Sequence, residues 1–210
     1  MALFRSSVWK ETELRHILPR TLAGVLFPLA FAAPLAATPP TGDCPATGSL
    51  IAYCGLPSPE DIEVLPDRQG VIVSDMGIRR GPAGIEGHPG TLKWLAPKTR
   101  QITALYPSPG SQRGRGDGQR DWGDPACPGE IGAVMNAHGI HLSRRRDGAW
   151  QLLVVNHGGR ESVEVFELTG RSGHWGLRWR GCAVPPGPNR LNDVVALPDQ
   201  GFLVTTMYRQ

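Results

Sequence analysis

The sequence predicts an all-β fold built from repeated four-stranded sheets. Turn-forming residues are abundant, with 27 Gly and 20 Pro among 210 residues, and they separate short runs of Val, Ile and Leu. No stretch beyond the N-terminus has the sustained periodicity of an amphipathic helix. A hairpin sequence also recurs along the chain, which is typical of repeat architectures.

Residues 1–37 have the pattern of an export signal, removed as a signal peptide. Basic residues precede the uncharged run Thr21–Ala37, which ends in small residues, and we expect cleavage at its end. A membrane anchor is the alternative, but Pro28 and Pro34 interrupt the run and a spanning helix needs about 20 apolar residues. The rest of the chain is therefore predicted to be periplasmic or secreted.

The charge of the exported part gives no support for a nucleic-acid partner. The whole chain has 22 Lys and Arg against 19 Asp and Glu, and cleavage removes four basic and two acidic residues, which leaves 18 against 17. The one basic cluster, Arg144–Arg146, precedes the turn signal Asp147-Gly148. We interpret it as a solvated hairpin tip rather than a phosphate site. Neither nucleic acid nor a membrane span after cleavage is expected.

Export makes the four cysteines candidates for disulfides, because that compartment is oxidising. Three pairings are possible. Cys44 with Cys54 and Cys127 with Cys182 is the local choice, but the sequence does not decide between them, and a partner beyond residue 210 is a further alternative. Zinc is not expected, because no Cys-x-x-Cys or His-x-x-x-His spacing accompanies these residues.

One strand–turn–strand hairpin occurs in two close copies with a looser copy between them. The close copies are Asp61–Ser74 and Asp193–Thr205, and the looser copy runs from Gly139 to His157. Two further strand-like runs follow each of the first two hairpins: Thr91–Leu95 and Gln101–Tyr106, then Ser162–Leu168 and Leu177–Val184. Four strands per repeat predict the blades of a β-propeller, whose faces are buried only against neighbouring blades.

The predicted blades lie at about 55–107, 130–185 and, truncated, 190–210. They form one incomplete domain, 38–210. Propellers typically close a ring of four to eight blades, so two and a half blades would leave apolar faces uncovered. We therefore expect this chain to be the first part of a longer protein. The polar, Gly-rich insertion Pro107–Gly129 is predicted to be a flexible surface loop.

In a propeller the first strand of every blade lines the central channel, so equivalent positions of the repeat converge. The alignment selects Glu60 and Asp61 in the first blade, His138–Ile140 in the second, and Asn192 and Asp193 in the third. Three acids and an amide are hard oxygen donors, which suit calcium with its six to eight oxygen ligands. Asp and Asn are also common turn residues. The coincidence of three placements is what favours a shared metal site.

Two histidines belong to the same predicted hairpin, with His138 at the start of its first strand and His157 at the end of its second. A lone histidine is more often a packed core or loop residue. Two beside a metal could act as a general base on water, because histidine titrates near neutral pH. His88, His141 and His174 have no such context. The chain has no Gly-x-Ser-x-Gly elbow, which disfavours a serine nucleophile.

These residues resemble the paraoxonase/arylesterase family of calcium-dependent six-bladed propeller lactonases. The matching segments, in the family's order, are Glu60–Pro66, His138–Ile140, Leu153–His157 with Ser162–Phe166, and Leu191–Ala196. They cover most of residues 55–206 and correspond to the N-terminal half of the family. Several blocks at consistent spacing make the resemblance more specific than a single short motif.

The resemblance implies two calcium ions in the channel. Glu60 and Asn192 would hold the catalytic ion, whereas Asp61, Asp193 and the carbonyl of Ile140 would hold the structural ion. The family's other ligands of the catalytic ion, an Asn and an Asp-Asn pair, come from later blades. We therefore expect weak calcium binding and no appreciable hydrolysis by this chain alone.

The resemblance also implies that His138 and His157 form the dyad that activates water. The intact protein would then hydrolyse lactones or aryl esters, with calcium polarising the ester carbonyl. One alternative is a non-enzymatic propeller, stabilised by calcium, that binds or scaffolds a partner. Another is a gluconolactonase-like propeller, whose sequence blocks fit less well. The particular lactone or ester and the oligomeric state are not predicted.

Overall fold

The computed structural model describes residues 48–50, 52–82, 84–107, 122–131 and 134–209. These residues form strands, turns and loops without a helix, which confirms the predicted all-β class. In this part of the chain no helix has the length and apolar character of a membrane span. The predicted signal peptide, 1–37, and Cys44 lie outside the described residues.

The strands in the described residues are numbered in chain order. They are β1 (Pro59–Val64), β2 (Val71–Asp75), β3 (Ile78–Gly81), β4 (Gly84–Gly87), β5 (Thr91–Ala96), β6 (Gln101–Tyr106), β7 (Ala137–Arg144), β8 (Trp150–Asn156), β9 (Ser162–Arg171), β10 (His174–Ala183), β11 (Asn189–Ala196) and β12 (Phe202–Arg209).

The strands form two antiparallel four-stranded sheets, a two-stranded third sheet and a small extra hairpin. The first sheet has the order β1-β2-β5-β6, the second β7-β8-β9-β10, and the third contains β11 and β12. The two sheets of four antiparallel strands confirm that part of the prediction. The extra hairpin, β3-β4, lies between β2 and β5 and was not predicted. The first strands β1, β7 and β11 are neighbours, with β7 in contact with both others.

The two close copies of the repeat form the same turn. The leucine after the first strand donates its N–H to the carbonyl of the glycine before the second strand, from Leu65 to Gly70 at 3.0 Å and from Leu197 to Gly201 at 2.8 Å. In both turns the intervening aspartate accepts the N–H two residues ahead at 2.9 Å. The hydrogen bonds of this Asx turn are local, so the Leu-Pro-Asp motif itself favours the turn.

The second sheet is buried on both faces. Alternate residues of β8 point to opposite sides, so Leu152 and Val154 pack against the first sheet, whereas Leu153 and Val155 pack toward β11. All four side chains are buried, and each stabilises the fold by about 1.5–3 kcal/mol. A continuous apolar run, rather than an alternating one, is what a strand buried on both faces requires.

A disulfide fastens part of the predicted loop to the outer strand of the second sheet. Cys127 is bonded to Cys182 of β10, which confirms that half of the local pairing. Cys54 is also disulfide-bonded. The backbone just before Cys127 pairs with β10 as well, because the N–H of Trp122 donates to the carbonyl of Arg180 at 2.9 Å.

Residues 122–129, the last part of the predicted loop over 107–129, form no strand and are mostly exposed, but one side chain of this segment packs into the fold. The Trp122 ring is buried, and the guanidinium groups of Arg145 and Arg180 lie 4.1 and 4.9 Å from its centre. Such cation–π contacts are favourable when they are shielded from water. The basic cluster at the hairpin tip therefore contributes one arginine to packing. Residues 108–121 lie outside the described residues.

Candidate functional site

Five of the seven predicted site residues lie in β-bulges at one equivalent position of three first strands; the other two are Ile140, which follows the second bulge, and His157, which follows β8. In each bulge two residues oppose a single residue of the second strand: Glu60 and Asp61 oppose Ser74, His138 and Gly139 oppose Val155, and Asn192 and Asp193 oppose Thr205. A bulge bends the strand and redirects its side chains, and such bulges are common beside active sites. The repeat alignment therefore selected residues that share one backbone geometry.

The aspartates of the first and third bulges are fixed in the same way by their own hairpins. The N–H of Asp61 donates to the hydroxyl of Ser74 at 2.9 Å, and the N–H of Asp193 donates to that of Thr205 at 3.1 Å. In both, one carboxylate oxygen accepts the N–H of the following residue at 2.7 Å. The second bulge has Gly139 and Val155 in these places, so it has neither the carboxylate nor the hydroxyl.

The two aspartates meet at the second bulge. Oδ2 of Asp61 accepts the N–H of Ile140 at 2.7 Å. A Cβ atom on Gly139 would lie 2.5 Å from Oδ1 of Asp193 and 2.7 Å from the carbonyl oxygen of Asn192. Only glycine fits at this close approach. The structure thus brings together the three residues expected for the structural ion, although Asp61 contacts the N–H of Ile140 and not its carbonyl.

Glu60 lies at the exposed edge of this cluster. Burial of part of its side chain raises the pKa of Glu60, and the negative charges of Asp61 and Asp193 raise it further. Negative charge is thus concentrated at the first and third bulges, beside the second. Asn192, which is partly buried, is linked to Glu60 by no hydrogen bond among the described residues. Glu60 and Asn192, the two residues expected for the catalytic ion, therefore share no hydrogen bond in the described part of the chain.

His138 and His157 form a hydrogen-bonded pair, called the histidine pair below. Nδ1 of His138 lies 2.9 Å from Nε2 of His157. At one end of the pair, Nε2 of His138 lies 3.1 Å from Oε1 of Glu60. At the other end, Nδ1 of His157 lies 2.9 Å from both carboxylate oxygens of Glu161. A carboxylate, two imidazoles and a second carboxylate thus form one continuous chain.

Burial lowers the pKa of both members of the histidine pair. For His138 the nearby Arg190 cation lowers the pKa further, while the surrounding carboxylates oppose the shift. For His157 the hydrogen bond with Glu161 opposes the effect of burial. Lowered values favour neutral imidazoles near pH 7, which is the form that can accept a proton.

The sequence did not predict Glu161, which links the second sheet to the third. Besides contacting His157, its Oε1 accepts the N–H of Leu191 at 2.6 Å, and its Oε2 lies 3.3 Å from Nη1 of Arg190. Leu191 is adjacent to Asn192. The signal that could have revealed Glu161 is its position four residues after His157, within the same short loop.

Asn156 organises the loop that carries His157 and Glu161. Its fully buried side chain accepts the N–H groups of Asn136 and Gly158 at 3.0 and 2.9 Å. Its amide nitrogen donates to the carbonyls of Gly158 and Arg160 at 2.8 and 3.0 Å. All four hydrogen-bonding positions of the amide are therefore used, and the loop is fixed to the end of β8.

No protein-family model matches this chain, and no curated protein matches it significantly. Carboxylate, amide and carbonyl oxygens fit a hard cation such as calcium. Among the described residues, no three His, Cys, Asp or Glu side chains form a metal-binding group. The sites implied by the resemblance draw at most two carboxylates each from this chain.

A second carboxylate–histidine contact follows the first along the same pair of strands. Nδ1 of His141 on β7 lies 3.3 Å from Oε1 of Glu63 on β1. Each of these residues follows its counterpart in the contact between His138 and Glu60 by three positions. His141 therefore has a partner that its sequence context did not indicate. His88 lies apart from this region, with Nε2 3.7 Å from Oδ1 of Asp75.

Proposed function

We propose that the intact protein is an exported, calcium-dependent hydrolase of lactones or aryl esters, built on a β-propeller of the paraoxonase/arylesterase type. The observation that carries this proposal is the hydrogen-bonded histidine pair beside Glu60, at the bulges of three adjacent strands. A general base next to hard oxygen donors is the combination that metal-assisted ester hydrolysis requires.

The arrangement of sheets supports a propeller. Successive four-stranded sheets place their first strands side by side, and the middle sheet is buried on both faces. The outer sheets have exposed apolar residues instead: Ile62 and Val64 on β1 are 59% and 57% exposed, and Leu203 on β12 is 60% exposed. These faces suit further blades, and a ring of six is what the resemblance implies.

The donor set supports calcium. Glu60 and Asn192 would hold the catalytic ion, and Asp61, Asp193 and the carbonyl of Ile140 would hold the structural ion. When bound, calcium would polarise the ester carbonyl and stabilise negative charge on its oxygen. The shift in the pKa of Glu60 is in keeping with this role, because a site crowded with carboxylates is relieved by a cation.

The histidine pair would supply the general base. Nε2 of His138 takes a proton from a water molecule while the water oxygen bonds to the carbonyl carbon of the substrate. The bond from that carbon to the alkoxide or phenolate oxygen then breaks, and the leaving oxygen receives the proton back from His138. A lactone opens to a hydroxy acid, and an aryl ester gives an acid and a phenol.

The disulfide supports export. The bond between Cys127 and Cys182 is of a kind that persists in oxidising compartments. It would be stable in the periplasm or outside the cell, in agreement with the signal pattern at residues 1–37.

Hydrolysis of phenyl acetate and of simple lactones by the intact gene product tests the proposal. We expect turnover that calcium supports and a chelator abolishes, and a fall in kcat of about 10²-fold or more for His138→Gln, the range for loss of a general base. Asp199→Asn, in an exposed turn, is the matched control and should leave kcat unchanged. Turnover that survives both chelation and His138→Gln would refute the proposal.

Calcium binding is measured on the chain itself by thermal unfolding. We expect calcium to raise Tm more than magnesium does, because a ligand that binds only the folded state stabilises it. Asp193→Asn should reduce the effect and Asp199→Asn should not. Calcium binding without hydrolysis of any ester by the intact protein would replace this proposal with the non-enzymatic alternative.

A further inference from the structure

The proton positions along the chain from Glu60 to Glu161 follow from which groups can only donate. Glu161 faces the N–H of Leu191 at 2.6 Å and the guanidinium of Arg190 at 3.3 Å. A backbone N–H and a guanidinium have no lone pair to offer, so both carboxylate oxygens of Glu161 act as acceptors. As a carboxylate, Glu161 can only accept hydrogen bonds, so every other group that approaches its oxygens brings a hydrogen.

The proton on His157 determines where the proton of His138 lies. Nδ1 of His157, 2.9 Å from both oxygens of Glu161, carries the proton. In a neutral imidazole the other nitrogen is then an acceptor. Nε2 of His157 consequently accepts from Nδ1 of His138 at 2.9 Å. His138 is left with its lone pair on Nε2, the nitrogen that faces Glu60 and the exposed edge of the site.

We propose that Glu161 is a positioning residue that fixes the proton arrangement of the histidine pair, so that Nε2 of His138 is the basic nitrogen at the site. The inference rests on the proposed function for the use of that base, but the proton arrangement itself does not. His157 contacts both Glu161 and His138, so it transmits the preference of Glu161 to His138.

Glu161 has a second positioning effect through Leu191. The short bond to the N–H of Leu191 fixes the backbone one residue before Asn192. A single carboxylate thus holds the base through His157 and a proposed calcium ligand through the third sheet. Nε2 of His138 and Oε1 of Glu60, 3.1 Å apart, are both acceptors in this arrangement. A proton on Glu60, or a cation bound to it, removes their repulsion.

Nitrogen-15 NMR of the folded chain with labelled histidine tests the inference. Protonated and unprotonated imidazole nitrogens resonate far apart, so the tautomer of each ring is read directly. At a pH where both rings are neutral, we expect protonated Nδ1 and unprotonated Nε2 in both His138 and His157. We also expect a downfield amide proton for Leu191, as a short bond to a carboxylate produces.

Glu161→Gln provides the comparison. Its single oxygen cannot replace both acceptors, and its amide can donate to Nδ1 of His157, so we expect mixed tautomers in both rings and an upfield shift of the Leu191 amide proton. Glu167→Gln is the matched control. It lies on the same sheet, and its carboxylate contacts Arg180 rather than a histidine. We expect wild-type tautomers in this variant.

The wild-type spectrum alone can overturn the inference, whether or not a variant folds. Protonated Nε2 on either ring of the neutral pair would refute it, as would unchanged tautomers in folded Glu161→Gln. In the intact hydrolase, a carboxylate that fixes a histidine tautomer is worth about 10²–10⁴-fold in kcat, so Glu161→Gln should lower kcat with little change in KM. Correct tautomers in a protein that hydrolyses no ester would refute the proposed function and leave the role of Glu161 standing.

Discussion

Replacing Asn156 with alanine should destabilise the fold far more than its small size suggests. The side chain is fully buried and makes four hydrogen bonds of 2.8 to 3.0 Å to backbone groups of the neighbouring loops. Each such bond contributes about 1 kcal/mol net, so Asn156→Ala should lower the free energy of unfolding by about 4 kcal/mol. A water molecule that enters the space left by the side chain would restore some of these hydrogen bonds, and the loss in free energy of unfolding would then be about 2 kcal/mol.

Urea unfolding of the two proteins measures the difference, with the same m-value required for a valid comparison. Asn189→Ala is the matched control, because Asn189 is only partly buried and makes one side-chain hydrogen bond, to the carbonyl of Pro186 at 2.7 Å. Asn189→Ala should lower the free energy of unfolding by less than about 1 kcal/mol. Equal losses for the two variants would show that the network around Asn156 contributes nothing beyond an ordinary surface contact, and the reasoning would be wrong.

Three further predictions concern pH, packing and the disulfide. Burial lowers the pKa of both members of the histidine pair below the usual 6.5 in the folded protein. Below pH 6.5 the unfolded chain therefore binds more protons than the folded chain. The free energy of unfolding should stay constant above pH 6.5 and decline as the pH falls toward the pKa values of the folded state. Urea unfolding across pH should show a smaller decline for His138→Gln, and an equal decline would contradict this origin. Gly139→Ala, which places a methyl group 2.5 Å from Oδ1 of Asp193, should cost about 1–3 kcal/mol by urea unfolding, whereas Gly87→Ala, with open space around it, should cost much less; similar losses would count against the steric argument. Cys127→Ser opens a disulfide that joins residues 55 apart, and Tm should fall in keeping with a loss of about 4 kcal/mol; an unchanged Tm would contradict this contribution of the disulfide.

Local chemistry made most of the fold predictable. The Leu-Pro-Asp turns and the apolar runs beside them have local structural preferences, so the strands of all three main sheets could be placed from sequence. The hairpin of β3 and β4 was missed because its residues are rich in glycine and arginine and lack the alternating apolar pattern of a strand. The packing of Trp122 was missed for another reason, since its burial depends on β10 and on a disulfide to a distant cysteine.

The site was predictable where the repeat provided an alignment and unpredictable where contacts cross between sheets. Equivalent positions in three hairpins selected the bulge residues without any knowledge of bulges. Glu161 occupies a loop with no counterpart in the other repeats, and its bond to Leu191 spans 30 residues. Carboxylates that face distant backbone leave no periodic trace in a sequence, so only a three-dimensional structure reveals them.

Gly139 is the position at which the second hairpin differs from its two neighbours. If the second hairpin also carried an aspartate there, a third side chain would occupy the space into which Asp61 and Asp193 project. The copy without a side chain gives its neighbours access to bare backbone, and the symmetry of the repeat is broken at that point. Gly139, which has no side chain, thus determines how closely Asp61 and Asp193 can approach the second strand. Position 139 therefore tolerates few substitutions.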